Sequence, residues 1–278
     1  MKFVFVDIGE LGWSLMLSMH IRWLRENTSH SLAVIALSDR KCLYKGMVDL
    51  LIDVPQDFYR RFDITYQSCF GLSRKNGGRL MEYFRSHFPE GYVFPKGFAL
   101  AGIDGFPKWP HIVRPYNYSK KLSGKKEILV FPRHRKWGDF AYRNMTKEFY
   151  INLIKKLCIS FSACNVRTLG VSLGAYNITE VTQSNYINDV RDKSDLQDLI
   201  DRCQLAVVAI GGTSSLPKIS LLQGVPTFII GHESKRFVET DNWMQTKVGF
   251  YKIAKNGYVT IDQIDCINKI IEFVRSCV

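Results

Sequence analysis

The sequence predicts an α/β protein made of two Rossmann-like, doubly wound halves. Three observations carry this expectation. Short, continuous apolar runs rich in β-branched residues recur along the chain, as strands covered on both faces require. Loops and apolar patterns at helical spacing follow these runs. The order strand, loop, helix opens the chain at Phe3 and opens it again at Glu127.

In the first half, Phe3-Val4-Phe5-Val6 reads as a buried strand. Asp7-Ile8-Gly9-Glu10-Leu11-Gly12 reads as a glycine-bearing turn. Leu15, Met16, Met19 and Trp23 recur at helical spacing over 13–25, and 31–37 is the next strand. Ligands of doubly wound sheets bind beyond the carboxyl ends of the strands. Asp7, Gly9, Glu10 and Gly12 are therefore candidates for a site, against the plainer reading of a solvated or helix-capping turn. Residues 50–55 read as a short strand and 77–87 as a helix facing inward through Leu80, Tyr83 and Phe84. Residues 88–118 hold many of the prolines and aromatics and read as irregular structure. The polar segment 119–126, with Lys120, Lys121, Ser123, Gly124 and Lys125, reads as the linker between a domain at 1–118 and a domain at 127–278.

The second half opens with the strand Glu127-Ile128-Leu129-Val130-Phe131-Pro132. It runs directly into Arg133-His134-Arg135-Lys136-Trp137, and a helical pattern follows over 145–157. Cations gathered at one strand end repel one another unless an anion joins them. Arginine brings a planar fork matched to phosphate oxygens, and lysine a point charge. Arg133, Arg135 and Lys136 are thus candidate anion ligands, against a salt-bridged or solvated loop. His134 has no second His or Cys at ligand spacing and reads as a hydrogen-bonding or packing residue rather than a metal ligand; with this many cations and no Asp-x-Asp motif, no metal is expected.

Residues 166–173 read as a strand, and 194–203 as a helix capped by Ser194. The densest signal comes next. Leu205-Ala206-Val207-Val208-Ala209-Ile210 is a strand, Gly211-Gly212-Thr213-Ser214-Ser215 a tight turn into a helix, and Thr227-Phe228-Ile229-Ile230-Gly231 a second strand. The free N–H groups of such a helix start attract phosphate, which makes Gly211, Gly212, Thr213 and Ser214 candidates. The stretch is neither a P-loop nor the dinucleotide fingerprint, and an ordinary βαβ unit would look similar. His232 and Glu233 lie in the polar loop after the second strand. The chain closes on an amphipathic helix over 261–274.

Bulk composition bounds the function. With 46% hydrophobic and 23% charged residues, the 278-residue chain has the balance of a globular protein. A formal net charge of +12 points to an anionic partner or a basic solvated surface. Seven cysteines at irregular spacing, without a Cys-x-x-Cys pair, read as reduced thiols of a cytoplasmic protein. Asp7 and Glu10 interrupt any signal-like apolar core, and no run is long enough to span a membrane, which leaves peripheral contact with an anionic membrane open. No zinc-finger spacing or aromatic-basic repeat marks a nucleic-acid module, so no specific nucleic acid is expected.

Two stretches resemble the heptosyltransferase-like family of GT-B glycosyltransferases. Phe131-Pro132-Arg133-His134-Arg135-Lys136-Trp137, with Phe149 and Leu153-Ile154-Lys155-Lys156-Leu157 after it, is similar to that family's strand, basic loop and helix. Ala209-Ile210-Gly211-Gly212-Thr213-Ser214-Ser215 through Gly231 is similar to its diphosphate-binding turn and following strand. The family usually carries Asp-Thr-Gly at this turn and a histidine soon after; this chain has Gly211-Gly212-Thr213 and no such histidine. Gly9-Glu10 is similar to the family's Gly-Asp, whose carboxylate can serve as base.

The resemblance implies a GT-B architecture with a cleft between an acceptor domain and a donor domain. It implies inverting, metal-independent transfer, without a cofactor, from a nucleotide-diphosphate sugar to a glycan, lipid-linked or other hydroxyl acceptor. In that reading Glu10, or failing it Asp7, takes the acceptor proton. Arg133, Arg135, Lys136, Gly211, Gly212, Thr213 and Ser214 hold the diphosphate, His232 and Glu233 meet ribose or sugar hydroxyls, and Gly9 and Gly12 shape the acceptor-side loop. A sugar-nucleotide epimerase or hydrolase on the same fold, and a non-catalytic basic protein that binds polyanions, are the rival readings.

Overall fold

The computed structural model describes residues 2–8, 11–55, 82–86, 90–93, 125–135, 143–193, 195–231, 254–262 and 264–278. The chain divides into two compact units. One is Met1–Val113 with Trp243–Gly249, and the other is Arg114–Asn242 with Phe250–Val278. The expected linker lies outside the described residues except at 125 and 126, as do almost all of the proline-rich stretch and most of the helix expected over 77–87.

In the first unit β1 (Lys2–Asp7) leads through α1 (Leu11–Asn27) to β2 (Ser31–Leu37). A 3-10 turn at Ser38–Leu43 then leads to β3 (Leu50–Val54), and β4 is Tyr92–Val93. The strands pair in parallel in the order β3-β2-β1-β4. Their alternate side chains serve opposite faces. Val4, Val6 and Ile8 cluster with Ala33, Ile35, Val54 and Phe84 of the helical residues 82–86. Phe5 meets His20 of α1 edge to face. Helical chain thus covers both faces, which is why β1 and β2 are almost wholly apolar.

Two expectations are corrected here. Asp7 is the last residue of β1 and not part of the turn, because its register with Ala36 continues the ladder. Gly12 lies in the first turn of α1 and not in a loop, since the helix already begins at Leu11.

The second unit carries β5 (Glu127–Phe131), α2 (Lys147–Ser160), β6 (Asn165–Val171), β7 (Tyr186–Arg191) and α3 (Leu196–Cys203). It continues with β8 (Ala206–Gly212), α4 (Ser215–Leu222), β9 (Thr227–Gly231), β10 (Asn256–Thr260) and α5 (Cys266–Arg275). The sheet is parallel, in the order β10-β9-β8-β5-β6-β7. On one face Ile128, Val130, Val208, Ile210, Phe228 and Ile230 meet Tyr150, Leu153, Ile154 and Leu157 of α2 and Ile270, Ile271 and Val274 of α5. On the other face α4 packs against β8. This is again a doubly wound layer arrangement.

The structure moves several element boundaries. The helix after β7 is capped by Asp195, whose side chain accepts from the Asp198 N–H, while Ser194 lies outside the described residues. The terminal helix starts at Cys266 and not at 261, because 256–260 forms β10 on the sheet edge. The glycines at 211 and 212 do not form the turn. They are the last residues of β8, in register with Ile229 and Ile230 of β9. A Cβ on Gly211 would stand 2.7 Å from Pro217 Cγ of α4 and 3.1 Å from the Phe131 ring. Gly211 is thus a close-packing glycine that lets α4 lie on the sheet.

Candidate functional site

The second sheet sets the site by its strand order. From β5 the chain moves outward to β6 and β7, then returns through α3 to β8 on the other side of β5. Connections therefore leave β5 and β8 in opposite directions, and a crevice opens beyond their carboxyl ends. The last paired residues there are Phe131 and Gly211. Two residues beyond that pair, one chain reaches Arg133 and the other reaches Thr213. The fold thus brings together the basic loop and the strand-to-helix turn that the sequence singled out separately.

The basic loop is held by its own backbone. Arg133 N–H donates to Phe131 O at 2.9 Å, His134 N–H to Gly174 O at 2.8 Å, and Tyr176 N–H to Pro132 O at 2.7 Å. Arg133 and Ala175 form an antiparallel bridge. The His134 ring stacks on Tyr176, with centroids 4.1 Å apart. That contact assigns His134 a packing role. Arg133 is buried, at 9% exposure, whereas Arg135 is half-buried. Below them burial pushes the Tyr150 hydroxyl well above the usual phenol range.

Asn144 was not foreseen. Its Oδ1 accepts from Arg133 Nη1 at 2.6 Å and from the Arg135 N–H at 3.0 Å, and its Nδ2 donates to Arg135 O at 2.8 Å. The only signal in the sequence is an amide residue just before a helix start, which is too common to single out. Asn144 precedes Met145, which is buried, and Thr146, the N-cap of α2, whose hydroxyl accepts from the Phe149 N–H at 3.1 Å.

Across the crevice Thr213 and Ser214 form the turn into α4. Ser214 is the N-cap in extended conformation, and no side-chain cap hydrogen bond joins it to the helix. Pro217 sits in the first turn of α4, where its missing N–H removes one unsatisfied donor and its fixed φ suits the helix. Lys136, His232 and Glu233 lie outside the described residues.

In the first unit the order β2-β1-β4 also puts a switch point at the end of β1, where Asp7 stands. Asp7 is 2% exposed. Ser14 donates to its Oδ1 at 2.8 Å and Tyr44 to its Oδ2 at 2.6 Å. Desolvation raises its pKa to about 6, against the lowering effect of both hydroxyls and of Arg40. Both carboxylate oxygens are thus committed to tying β1 to α1 and to the residues after β2. Gly9 and Glu10 lie outside the described residues. Among the described residues no group of three or more His, Cys, Asp or Glu side chains is placed to hold a metal, and no helix is long and apolar enough to cross a membrane.

Two units, each a doubly wound parallel sheet, define the class: an α/β protein with the fold of the GT-B glycosyltransferases. Within that class the fold is heptosyltransferase-like. The chain is similar to E. coli ADP-heptose lps heptosyltransferase II at TM-score 0.65 and 12% identity, covering 100% of this chain and 98% of that one. It is similar to the glycosyl transferase family 9 protein from Veillonella parvula DSM 2008 at TM-score 0.59 and 11% identity, covering 98% and 90%. It is also similar to E. coli heptosyltransferase WaaC with ADP at TM-score 0.57 and 9% identity, covering 100% of both. No protein-family model matches the chain, and no curated protein matches it.

Proposed function

We propose that the chain is a glycosyltransferase that moves a sugar from a nucleotide-diphosphate sugar to an acceptor hydroxyl, with inversion and without a metal. The observation that carries this reading is the register that ends at Phe131 and Gly211, so that the loop of Arg133 and Arg135 and the turn of Thr213 and Ser214 both start at the same end of neighbouring strands. A leaving diphosphate needs cations and N–H donors already in place where its charge develops. Arg133, Arg135 and Lys136 supply the cations. Thr213, Ser214, the end of β8 at Gly212 and the N–H groups opening α4 supply the donors.

The chemistry follows from that arrangement. The acceptor oxygen attacks the anomeric carbon as the bond from that carbon to the diphosphate oxygen breaks. The acceptor proton passes to a carboxylate, for which Glu10 is the candidate. Asp7, shut in by Ser14 and Tyr44, serves the end of β1 instead. His232 and Glu233 are candidates for ribose or sugar hydroxyls.

Solved structures of the same fold include heptosyltransferase WaaC with ADP and with ADP-2-deoxy-2-fluoro heptose, so ADP-linked sugars are the first donors to test. The net charge of +12 suits an anionic acceptor or the surface of an anionic membrane reached from the cytoplasm. Calorimetric titration with ADP, UDP, GDP and CMP tests the reading. Saturable binding of one of them, weakened by Arg135→Ala and by Lys136→Ala, is expected. Salt-sensitive, unsaturable binding of polyanions in its place contradicts it.

A further inference from the structure

Resting on the donor-site reading above, we propose that Asn144 is the positioning residue of that site: its side-chain amide clamps the peptide of Arg135 and the guanidinium of Arg133 so that both cations are presented to the diphosphate in one fixed arrangement. Three hydrogen bonds, of 2.6, 3.0 and 2.8 Å, converge on this one planar group.

The pattern of donors and acceptors settles how the amide is turned. Two donors, Arg133 Nη1 and the Arg135 N–H, face one side of it, and one acceptor, the Arg135 carbonyl, faces the other. A flipped amide would set like against like at all three places. The amide thus pairs with the Arg135 peptide through both N–H and C=O, as a neighbouring strand would. It extends a sheet-like hydrogen-bond pattern beyond the end of β5, where the ladder has stopped. Among side chains of this length asparagine meets this geometry. Aspartate has no donor for the Arg135 carbonyl, and serine is too short to reach both ends of a peptide.

The clamp is rigidly mounted. The next residue, Met145, is 2% exposed in the core beneath β5 and β8, and the residue after it caps α2. Because the clamp already holds Arg133 and the Arg135 peptide, the ordering entropy is met in folding and not on binding. Asn144 makes no claim on the reacting atoms and acts through Arg133 and Arg135.

The test uses the full chain with Asn144→Ala and Asn144→Asp. The Ala variant loses all three bonds. The Asp variant keeps an acceptor for Arg133 but sets an oxygen against the Arg135 carbonyl and a negative charge beside the guanidinium. The readout is the affinity for a nucleoside diphosphate divided by that for its nucleoside, with amide exchange at Arg135 followed on the same samples without nucleotide. We expect the ratio to fall about tenfold in Asn144→Ala and further in Asn144→Asp, as loss of one charge-assisted bond predicts. Arg135 exchange should quicken in both. A general loss of stability would lower both affinities alike and leave the ratio unchanged, which overturns the proposal. Quickened exchange with an unchanged ratio also overturns it. If the unaltered chain binds nucleosides and nucleoside diphosphates equally, the donor-site reading itself fails, and the positioning role falls with it.

Discussion

Tyr44 donates its hydroxyl hydrogen to Oδ2 of Asp7 at 2.6 Å, joining the chain just after the 3-10 turn to the end of β1. The carboxyl is buried and its pKa stands at about 6, against 3.8 in the unfolded chain. Not far away, burial lowers the pKa of His20 on α1 to about 4 from 6.5. The two groups pull stability in opposite directions.

The sign for Asp7 follows from proton counts. Between pH 3.8 and about 6 the folded state holds this proton more firmly than the unfolded chain, so its contribution to stability is lost as pH rises through 6. For His20 the unfolded chain holds the proton more firmly between about 4 and 6.5, so its contribution is lost as pH falls. The shifts correspond to about 3 kcal/mol for Asp7 and about 3.5 kcal/mol for His20 at most, from roughly 1.4 kcal/mol per unit. The two nearly cancel in the unaltered chain. Asp7→Asn should leave a protein whose melting temperature drops steeply from pH 6.5 to 4.5. His20→Gln should leave one whose melting temperature rises over the same interval. Equal slopes in the two variants would refute the assignment of these shifts.

The two glycines closing β8 predict a contrast. Alanine at Gly211 would drive a Cβ to 2.7 Å from Pro217 Cγ, whereas at Gly212 the nearest atom is 3.7 Å away. Gly211→Ala should cost about 1–3 kcal/mol by overpacking. Gly212→Ala should change stability by less than about 0.5 kcal/mol. Urea unfolding of the two variants decides this, and equal costs would show that α4 does not need the close approach.

Asp189 ties the edge of the second sheet. It accepts hydrogen bonds from Arg167 at 3.1 Å, from Arg191 at 2.7 Å and from Arg202. Burial pushes its carboxyl up, but the arginines more than offset that and hold it below the usual range. Asp189→Ala removes the carboxylate shared by three guanidinium groups, leaving Arg167 with Glu127 and both Arg191 and Arg202 with Asp198, and should cost about 1–3 kcal/mol, given that Arg191 is half exposed. The urea midpoint should fall with the slope unchanged, and the loss should shrink in high salt. A salt-independent loss would point to packing in place of charge.

The cap of α2 gives a smaller effect. Thr146→Ala removes the acceptor for the Phe149 N–H and should cost about 1 kcal/mol, while Thr146→Ser should restore most of it. Thermal melts read both, and equal losses in the two variants would assign the effect to the threonine methyl and not to the cap.

Strands buried on both faces were legible because burial dictates their composition. Phe3 to Val6, 31–37, 127–131 and 227–231 are apolar for that reason and stand where the sequence put them. The edge strands of the second sheet were not legible, although the edge strand at 50–54 of the first sheet was. Tyr186–Arg191 reads Tyr-Ile-Asn-Asp-Val-Arg, is half-buried at most, and gains its place from pairing with β6, a long-range fact absent from local pattern. At the candidate site, residue type singled out Arg133, Arg135, Thr213 and Ser214 as candidates, since cations and hydroxyls at strand ends are conspicuous. Their adjacency came only from strand order. Asn144 stayed hidden because one amide carries no pattern, and Gly211 was misread because a packing glycine and a turn glycine look the same in sequence.

We propose that the end of the β5–β8 pair holds the diphosphate of a nucleotide sugar. The most direct measurement is calorimetric titration of the chain with ADP, repeated with Arg135→Ala. Saturable one-to-one binding is expected, weakened about tenfold by the substitution through the loss of one charge-assisted contact. Saturable binding that Arg135→Ala leaves untouched, or no saturable binding of ADP, UDP, GDP or CMP at all, would contradict it.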